Sequence, residues 1–180
     1  MDIRQIVKKL TLLLLLGSEV SAADYDKGFK AYISYDFKTA IAEWTPLAAR
    51  GLASAQYYLG IMYDDGEGVP ENNKTAVEWY TKAAEQGLSK AQYNLAWMLA
   101  EGEGVPEDDK TAVEWYTKAA EQGDTRAQYN LGIMYDDGEG VPENNKTAVK
   151  WYTKAARQGD GHAQYNLGIM YDDGEGVPEN

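Results

Sequence analysis

Residues 127–144 read AQYNLGIMYDDGEGVPEN, and residues 163–180 repeat the same eighteen letters without a change. Related copies begin at Ala55 and Ala91, so successive copies start 36 residues apart. Self-similarity at a fixed period of about 20 to 50 residues is the signature of a repeat architecture, in which each copy is one supersecondary unit. This period decides the fold, and most of the remaining chain consists of further copies of the same unit.

Each copy predicts two helices joined by a glycine-rich loop. In the first full copy, apolar residues such as Leu59 and Met62 recur at helical spacing until Gly66 ends the helix. A second apolar run follows, with Asn72 placed to cap its start and Gly87 just after its end. A single helix pair cannot bury all of these apolar faces, whereas stacked neighbours can, so the sequence predicts an all-α array of helical hairpins.

The repeat divides the chain into six segments. The expected bounds are 1–22 for a signal peptide, 23–54 for a degenerate N-terminal capping repeat, 55–90, 91–126 and 127–162 for repeats 1, 2 and 3, and 163–180 for an incomplete repeat 4. An atypical terminal unit is what a solenoid needs at an exposed end. The last copy stops at Asn180, the cap position of a second helix, so we expect the chain to be a fragment of a longer repeat protein.

The first 22 residues have the layout of a secretory signal peptide. Basic residues precede a short apolar block at 10–16, and small residues close the segment near Ala22. A bilayer span needs about 20 apolar residues, so this block favours export over a membrane anchor. We therefore expect a periplasmic or secreted protein whose mature chain has no stable membrane insertion.

Composition excludes several kinds of chemistry. Acidic residues number 29 against 17 basic ones, giving a formal net charge of −12, which argues against nucleic-acid binding because phosphates require a basic face. The absence of cysteine removes disulfides, thiolate zinc sites and cysteine nucleophiles together. The acidic field instead favours a basic protein or peptide as partner.

No group of residues predicts catalysis, a metal site or a cofactor. The only histidine, His162, aligns with serine, lysine and arginine in the other repeats, so this position is variable and predicted to be exposed. No serine of the expected mature chain begins the Ser-x-x-Lys pattern of serine β-lactamases. The acidic stretch 64–67 lacks the alternating carboxylates of a calcium loop, so a solvated helix end is the better explanation.

The unit AQYNLGIMYDDGEGVPENNKTAVKWYTKAARQGD, residues 127–160, resembles the Sel-one-like repeat (SLR) family of tetratricopeptide-related helical solenoids. The matching features are Ala-x-x-x-Leu-Gly-x-x-Tyr, Gly-x-Gly-Val and Trp-Tyr-x-Lys-Ala-Ala-x-x-Gly. The resemblance covers 55–180 closely and 24–54 loosely. It implies an all-α, right-handed α/α solenoid of 36-residue helix-turn-helix repeats, with adaptor or scaffold roles rather than one reaction.

The same resemblance leaves two other functions open beside that of an exported scaffold. Some cysteine-rich relatives are described as penicillin-binding or β-lactamase-like, which implies an envelope enzyme acting on β-lactams or peptidoglycan, although this chain has none of their cysteines. Exported members are often linked to envelope processes or host contact, which implies a secreted host-interaction factor. This last alternative shares the binding mechanism of the scaffold and differs only in where the partner lies.

In tetratricopeptide-like stacks, the first helix of each repeat lines the concave face. Residues at offsets of 0, 3, 7 and 10 along these helices share one side. They combine aromatic, aliphatic and acidic groups. For any single residue, packing between adjacent first helices explains its presence about as well as contact with a ligand does. The predicted partner-binding residues, called the first-helix row below, are Tyr57, Ile61, Asp64, Tyr93, Trp97, Glu101, Tyr129, Ile133, Asp136 and Tyr165.

Repeat 2 breaks the pattern in the middle of this row. Residues 96–101 read Ala-Trp-Met-Leu-Ala-Glu where the neighbouring repeats read Gly-Ile-Met-Tyr-Asp-Asp. Trp97 adds a large amphipathic ring, and Ala100 removes a carboxylate. Because buried tryptophan and tyrosine are the usual anchors of interfaces, we predict a binding hot spot at Tyr93 and Trp97.

Overall fold

The computed structural model describes residues 24–176, and the predicted signal peptide at 1–22 lies outside the described residues. Within that range the chain forms nine helices and no strand. The helices are α1 (Tyr25–Ile33), α2 (Phe37–Ala49), α3 (Ala53–Asp64), α4 (Asn73–Glu85), α5 (Ser89–Glu101), α6 (Asp109–Glu121), α7 (Thr125–Asp137), α8 (Asn145–Arg157) and α9 (Gly161–Asp173). The predicted all-α architecture is confirmed.

The helices stack in the order of the chain. Each helix packs chiefly against the one before it and the one after it, from α1 through α9. The first helices of the full repeats are α3, α5 and α7, and the second helices are α4, α6 and α8. Because each unit contacts only its neighbours, the molecule is a solenoid whose core runs along its length.

Local capping sets the bounds of the second helices, as the sequence predicts. Asn72 accepts a hydrogen bond from the backbone N–H of Thr75 at 3.0 Å. Asp108 and Asn144 cap α6 and α8 in the same way. Gly66 follows the first helix at φ +68°, in the left-handed region that favours glycine. Short polar caps and glycine stops therefore fix where each hairpin turns.

The cap of α6 predicts a pH-dependent difference in stability between repeats. The Thr111 hydroxyl and backbone N–H both donate to Asp108, at 2.7 and 3.0 Å, and these bonds lower the pKa of the Asp108 carboxyl below 3.8. Such a group stabilises the fold above its unfolded pKa and loses that effect as pH falls through its folded pKa. We therefore expect Asp108→Asn to lower the melting temperature near pH 7, and to lower it progressively less as the pH falls below 3.8, measured by circular dichroism.

Repeat 3 supplies the matched control for this experiment, because Asn144 stands at the same cap position. Asn144→Asp should raise the melting temperature near neutral pH and lose the gain on acidification, since the new carboxylate faces the start of a helix. A difference for Asp108→Asn that stays constant with pH would contradict the assignment of this carboxylate as a charged cap.

Close helix packing depends on glycine in the first helices. An added Cβ at Gly60 or Gly132 would come 2.5 Å from the ring of Tyr80 or Tyr152, so these glycines leave room for the tyrosine rings within the pair. Repeat 2 carries Ala96 at this position. Ala96 and Tyr116 belong to the same cluster of buried residues, so repeat 2 accommodates a methyl group where the other two repeats have none.

Buried glutamines join each first helix to the second helices on both sides. The Gln92 amide donates to the backbone carbonyl of Ala84 in the preceding repeat at 3.1 Å, and its oxygen accepts from the Gln122 amide at 2.7 Å. Gln56 and Gln128 make the same pair of bonds, and all three are 4% exposed. Buried polar groups require such partners, so these bonds fix the register between neighbouring units.

Candidate binding surface

The tyrosines of the first-helix row are half-buried. The rings of Tyr57, Tyr93 and Tyr129 lie 6.1, 5.8 and 6.0 Å from the rings of the buried tyrosines on the second helix of their own repeat. Each ring therefore packs on its inner side and keeps an accessible outer part. Tyr165, on α9, is different because it is 70% exposed.

The larger apolar residues of the row also combine packing with partial exposure. Ile61 and Ile133 are half-buried against the core. Trp97 packs against two clusters of buried residues, one around Tyr80 and the other around Tyr116. The indole of Trp97 thus lies where repeats 1, 2 and 3 meet, with part of its surface accessible.

Two of the three predicted acidic binding residues act first as internal acceptors. Asp64 accepts a hydrogen bond from the Tyr80 hydroxyl at 3.2 Å, and Asp136 accepts one from the Tyr152 hydroxyl at 3.5 Å. Both carboxyl groups are half-buried, and this desolvation raises their pKa above the ordinary value of 3.8. Glu101, by contrast, is exposed. The acidic residues of the row therefore do not form a uniform set.

Repeat 2 lacks the carboxylate that accepts a hydrogen bond from the buried tyrosine in the other two repeats. Tyr116 is 2% exposed, and its hydroxyl accepts a hydrogen bond from the Asn130 amide at 2.9 Å. Ala100 occupies the position equivalent to Asp64 and Asp136. Among residues 24–176, no acceptor is hydrogen-bonded to the Tyr116 proton. Of the three described full repeats, repeat 2 is thus the only one in which the buried tyrosine hydroxyl has no aspartate to donate to.

An open cavity of about 340 Å³ lies at the same place. Both predicted hot-spot residues, Tyr93 and Trp97, contribute to its wall. Ala100 and Tyr116 also line it, as do Asn130, Ile133 and Met134, with the exposed carboxylates of Glu101 and Glu139. The first-helix row alone does not predict Tyr116, Asn130 or Glu139. The only sequence signal for them is the alanine at residue 100, which replaces the aspartate that accepts a hydrogen bond from the second-helix tyrosine in the other repeats.

Cationic and histidine side chains from the first turn of one first helix cover the tyrosine of the preceding first helix. The Arg126 guanidinium lies 3.9 Å from the ring centroid of Tyr93 and also pairs with Asp124 at 3.2 Å. The His162 ring lies 5.8 Å from that of Tyr129, and His162 is exposed as predicted. These stacked groups cover one side of the tyrosines, so access to Tyr93 is through the cavity.

A larger depression, of about 540 Å³, lies outside the row on α8. Trp151 and Val149 line it together with Lys150, Lys154 and Arg157. Val77 and Val113, at the positions equivalent to Val149, are buried by the next repeat. This surface therefore corresponds to the packing side of a second helix and is not a candidate ligand site.

The described part of the chain offers no alternative site of a simpler kind. Within residues 24–176, no group of three or more His, Asp or Glu side chains is arranged to hold a metal ion. None of the nine described helices combines the length and apolar character that crossing a bilayer requires. The stacked hairpins and their partly exposed aromatic row define a helical-repeat protein.

The chain belongs to the Sel1 repeat family. The family model, described as Sel1 repeat, matches residues 53–88, 89–124, 125–160 and 161–180. Proteins built from these repeats are generally scaffolds for protein interaction and are typically not enzymes. No curated protein sequence matches the chain at a significant level.

Solved structures share the same architecture. A Sel1 repeat protein from Oxalobacter formigenes is 37% identical with a TM-score of 0.83, over 87% of this chain and 65% of that protein. A protective antigen present in uropathogenic Escherichia coli strains, which displays an SLR fold, is 37% identical with a TM-score of 0.81, over 92% of this chain and 37% of the antigen. The chain thus spans less than two thirds of either protein.

A more distant similarity links the chain to cysteine rich protein B of Helicobacter pylori. The identity is 26% and the TM-score 0.58, over 73% of this chain and 95% of that protein. The present sequence contains no cysteine, so whatever cysteines contribute to that relative is absent here. The shared feature is the stack of helical hairpins.

Proposed function

We propose that the chain is an exported scaffold that binds a basic protein or peptide along the first-helix row, on the concave face of a right-handed solenoid. The observation that carries this proposal is the cavity between repeats 2 and 3, where Tyr93 and Trp97 remain accessible in the middle of the row. Aromatic anchors in a partly desolvated pocket are what interface hot spots require. The net charge of −12 supports a basic partner, because opposite charge speeds encounter.

Export is supported by the pattern of residues 1–22, namely basic start, short apolar block and small-residue end. A host-facing role would use the same row and differ only in the source of the partner. Enzymatic action on β-lactams or peptidoglycan has no comparable support. The sequence contains no Ser-x-x-Lys after residue 22 and no cysteine, and the described residues hold no metal-binding cluster.

Affinity capture from an envelope extract tests the proposed function. We expect the mature chain to retain a basic protein, and Trp97→Ala to weaken that interaction at least about thirtyfold, the loss of about 2 kcal/mol typical of a hot spot. Raising the salt concentration should weaken capture by the unmodified chain, because exposed charges are screened beyond about 8 Å at physiological ionic strength.

Trp115→Ala is the matched control, because it removes the same side chain from the same repeat but from a second helix, where Lys118 covers the ring at 3.7 Å. Circular dichroism checks that both variants are folded. Equal retention of the partner by wild type and Trp97→Ala would exclude the row as the binding surface.

A further inference from the structure

The repeats differ in how a buried hydrogen-bond chain ends. In repeat 3, the Asn166 amide donates to the Tyr152 hydroxyl at 3.2 Å, and that hydroxyl donates to Asp136. In repeat 2, the Asn130 amide donates to the Tyr116 hydroxyl at 2.9 Å, but Ala100 has no side-chain oxygen that could accept a hydrogen bond from that hydroxyl. Among the three described full repeats, only repeat 2 therefore lacks the carboxylate that accepts a hydrogen bond from the buried tyrosine.

The position that lacks the aspartate lies beside an opening to the surface. The cavity of about 340 Å³ has Tyr116 and Ala100 in its wall beside the aromatic rings of Tyr93 and Trp97. Because the cavity is open, water can accept the hydrogen bond of the Tyr116 hydroxyl in the free protein. An apolar group that displaced this water would leave the donor without a partner, at a cost of about 1 to 3 kcal/mol, whereas an entering acceptor replaces the water, so the pocket is complementary to an acceptor.

Charge decides between the acceptors that could enter. Glu101 and Glu139 line the pocket as exposed carboxylates, and the closeness of Glu101 contributes to a raised pKa of the Tyr116 phenol, whose main cause is burial. A carboxylate on the ligand would be repelled by these two groups. A cationic tip brings only donors, and the Tyr116 hydroxyl already accepts from Asn130. A neutral carboxamide supplies the acceptor without a charge penalty, while cations beside it would face the glutamates.

We propose that this pocket, which we call the repeat 2 pocket, receives the carboxamide side chain of a glutamine or asparagine flanked by basic residues in the partner peptide. The Tyr116 hydroxyl donates to the amide oxygen, and Trp97 packs against the methylene groups. This inference rests on the proposed function, since it names the side chain that the first-helix row selects. It treats Ala100 as a specificity determinant, because an aspartate there would fill the acceptor position from within the protein.

The test uses three blocked peptides that differ only at the centre: acetyl-Lys-Lys-Gln-Lys-Lys-amide and its Glu and Leu analogues. Binding to the mature chain is followed through the indole NMR signal of Trp97. We expect the Gln peptide to bind about tenfold more tightly than either analogue, the effect of one well-made hydrogen bond to a buried group. Tyr116→Phe should reduce the ratio between Gln and Leu peptides to about one.

Tyr80→Phe is the matched control, because it removes a hydroxyl whose proton Asp64 already accepts. It should leave the preference for glutamine unchanged. Ala96→Gly/Ala100→Asp, which introduces the residues that repeats 1 and 3 carry at these two positions, should abolish the preference while circular dichroism shows an intact fold.

The outcomes separate the pocket from the wider function. Equal affinity for Gln and Leu peptides, tighter binding of the Glu peptide, or a glutamine preference that survives Tyr116→Phe would each overturn the repeat 2 pocket. If Trp97→Ala still weakened all three peptides, the first-helix row would stand as the binding surface without that selectivity. If no peptide shifted the Trp97 signal and envelope capture were also negative, the proposed function itself would fail.

Discussion

Replacing Gly104 by alanine is expected to lower the free energy of unfolding by about 3 kcal/mol. Gly104 lies in the loop between α5 and α6 at φ +72°, and a Cβ there would come 2.4 Å from the carbonyl carbon of Asn73 in the preceding repeat. The left-handed conformation costs a residue with a Cβ about 1 to 2 kcal/mol. The contact adds about 1 to 3 kcal/mol, because backbone cannot rotate away as a side chain can.

Gly123→Ala separates these two contributions. Gly123 has φ +94°, but an added Cβ would find open space. It should therefore cost only the conformational part, about 1 kcal/mol. Both variants are measured by urea unfolding at equilibrium. Equal losses would show that the loop of repeat 2 does not need its close approach to α4, and that backbone conformation alone explains the glycine.

The fold is predictable to the extent that it depends on local rules. The cap at Asn72 involves a hydrogen bond over three residues, and the stop at Gly66 depends on one backbone conformation. Both can be recognised in a single copy of the repeat. The 36-residue period then fixes how the copies follow one another, because each unit contacts only its neighbours.

Contacts between side chains are harder to predict from the sequence, because each side chain has several possible partners within reach. The spacing of Glu78 and Lys82 predicts an exposed i,i+4 ion pair. In the structure the Lys82 ammonium instead lies 4.2 Å from the ring centroid of Trp79, and no Glu78–Lys82 pair forms among the described residues. An accessible indole competes with a solvated carboxylate, since desolvating an exposed ion pair offsets most of its attraction.

The same difficulty affects the candidate site. Sequence alone groups Asp64 with Glu101 as acidic binding residues, whereas Asp64 is bonded to Tyr80, sixteen residues away on the other helix of the hairpin. A period analysis identifies Ala100 as unusual but does not show which group loses its partner. That requires the geometry of Tyr116, so the location of the pocket was predictable and its hydrogen-bonding chemistry was not.

Trp44→Ala is expected to destabilise the N-terminal unit by about 3 to 5 kcal/mol, the range for removing a fully buried aromatic side chain. Trp44 is 0% exposed and stacks on Tyr58 of α3 with ring centroids 4.7 Å apart. Its indole N–H donates to the backbone carbonyl of Tyr25 at 3.2 Å. Gly28 leaves room for the ring, since a Cβ there would lie 2.5 Å from the indole nitrogen. One side chain therefore joins α1, α2 and α3.

The position of Trp44 determines which part of the solenoid responds. Stability in a repeat array is a sum of unit and neighbour terms, so loss of the contact with α3 should release α1 and α2 before repeats 1 to 3. Hydrogen exchange read by mass spectrometry should show lost protection at 25–49 with protection kept at 89–157. Trp115→Ala, whose half-buried ring lies under Lys118, should cost only about 1 to 3 kcal/mol. A uniform loss of protection for Trp44→Ala would show instead that the stack unfolds as one cooperative body, and that the N-terminal unit is part of its nucleus rather than a cap.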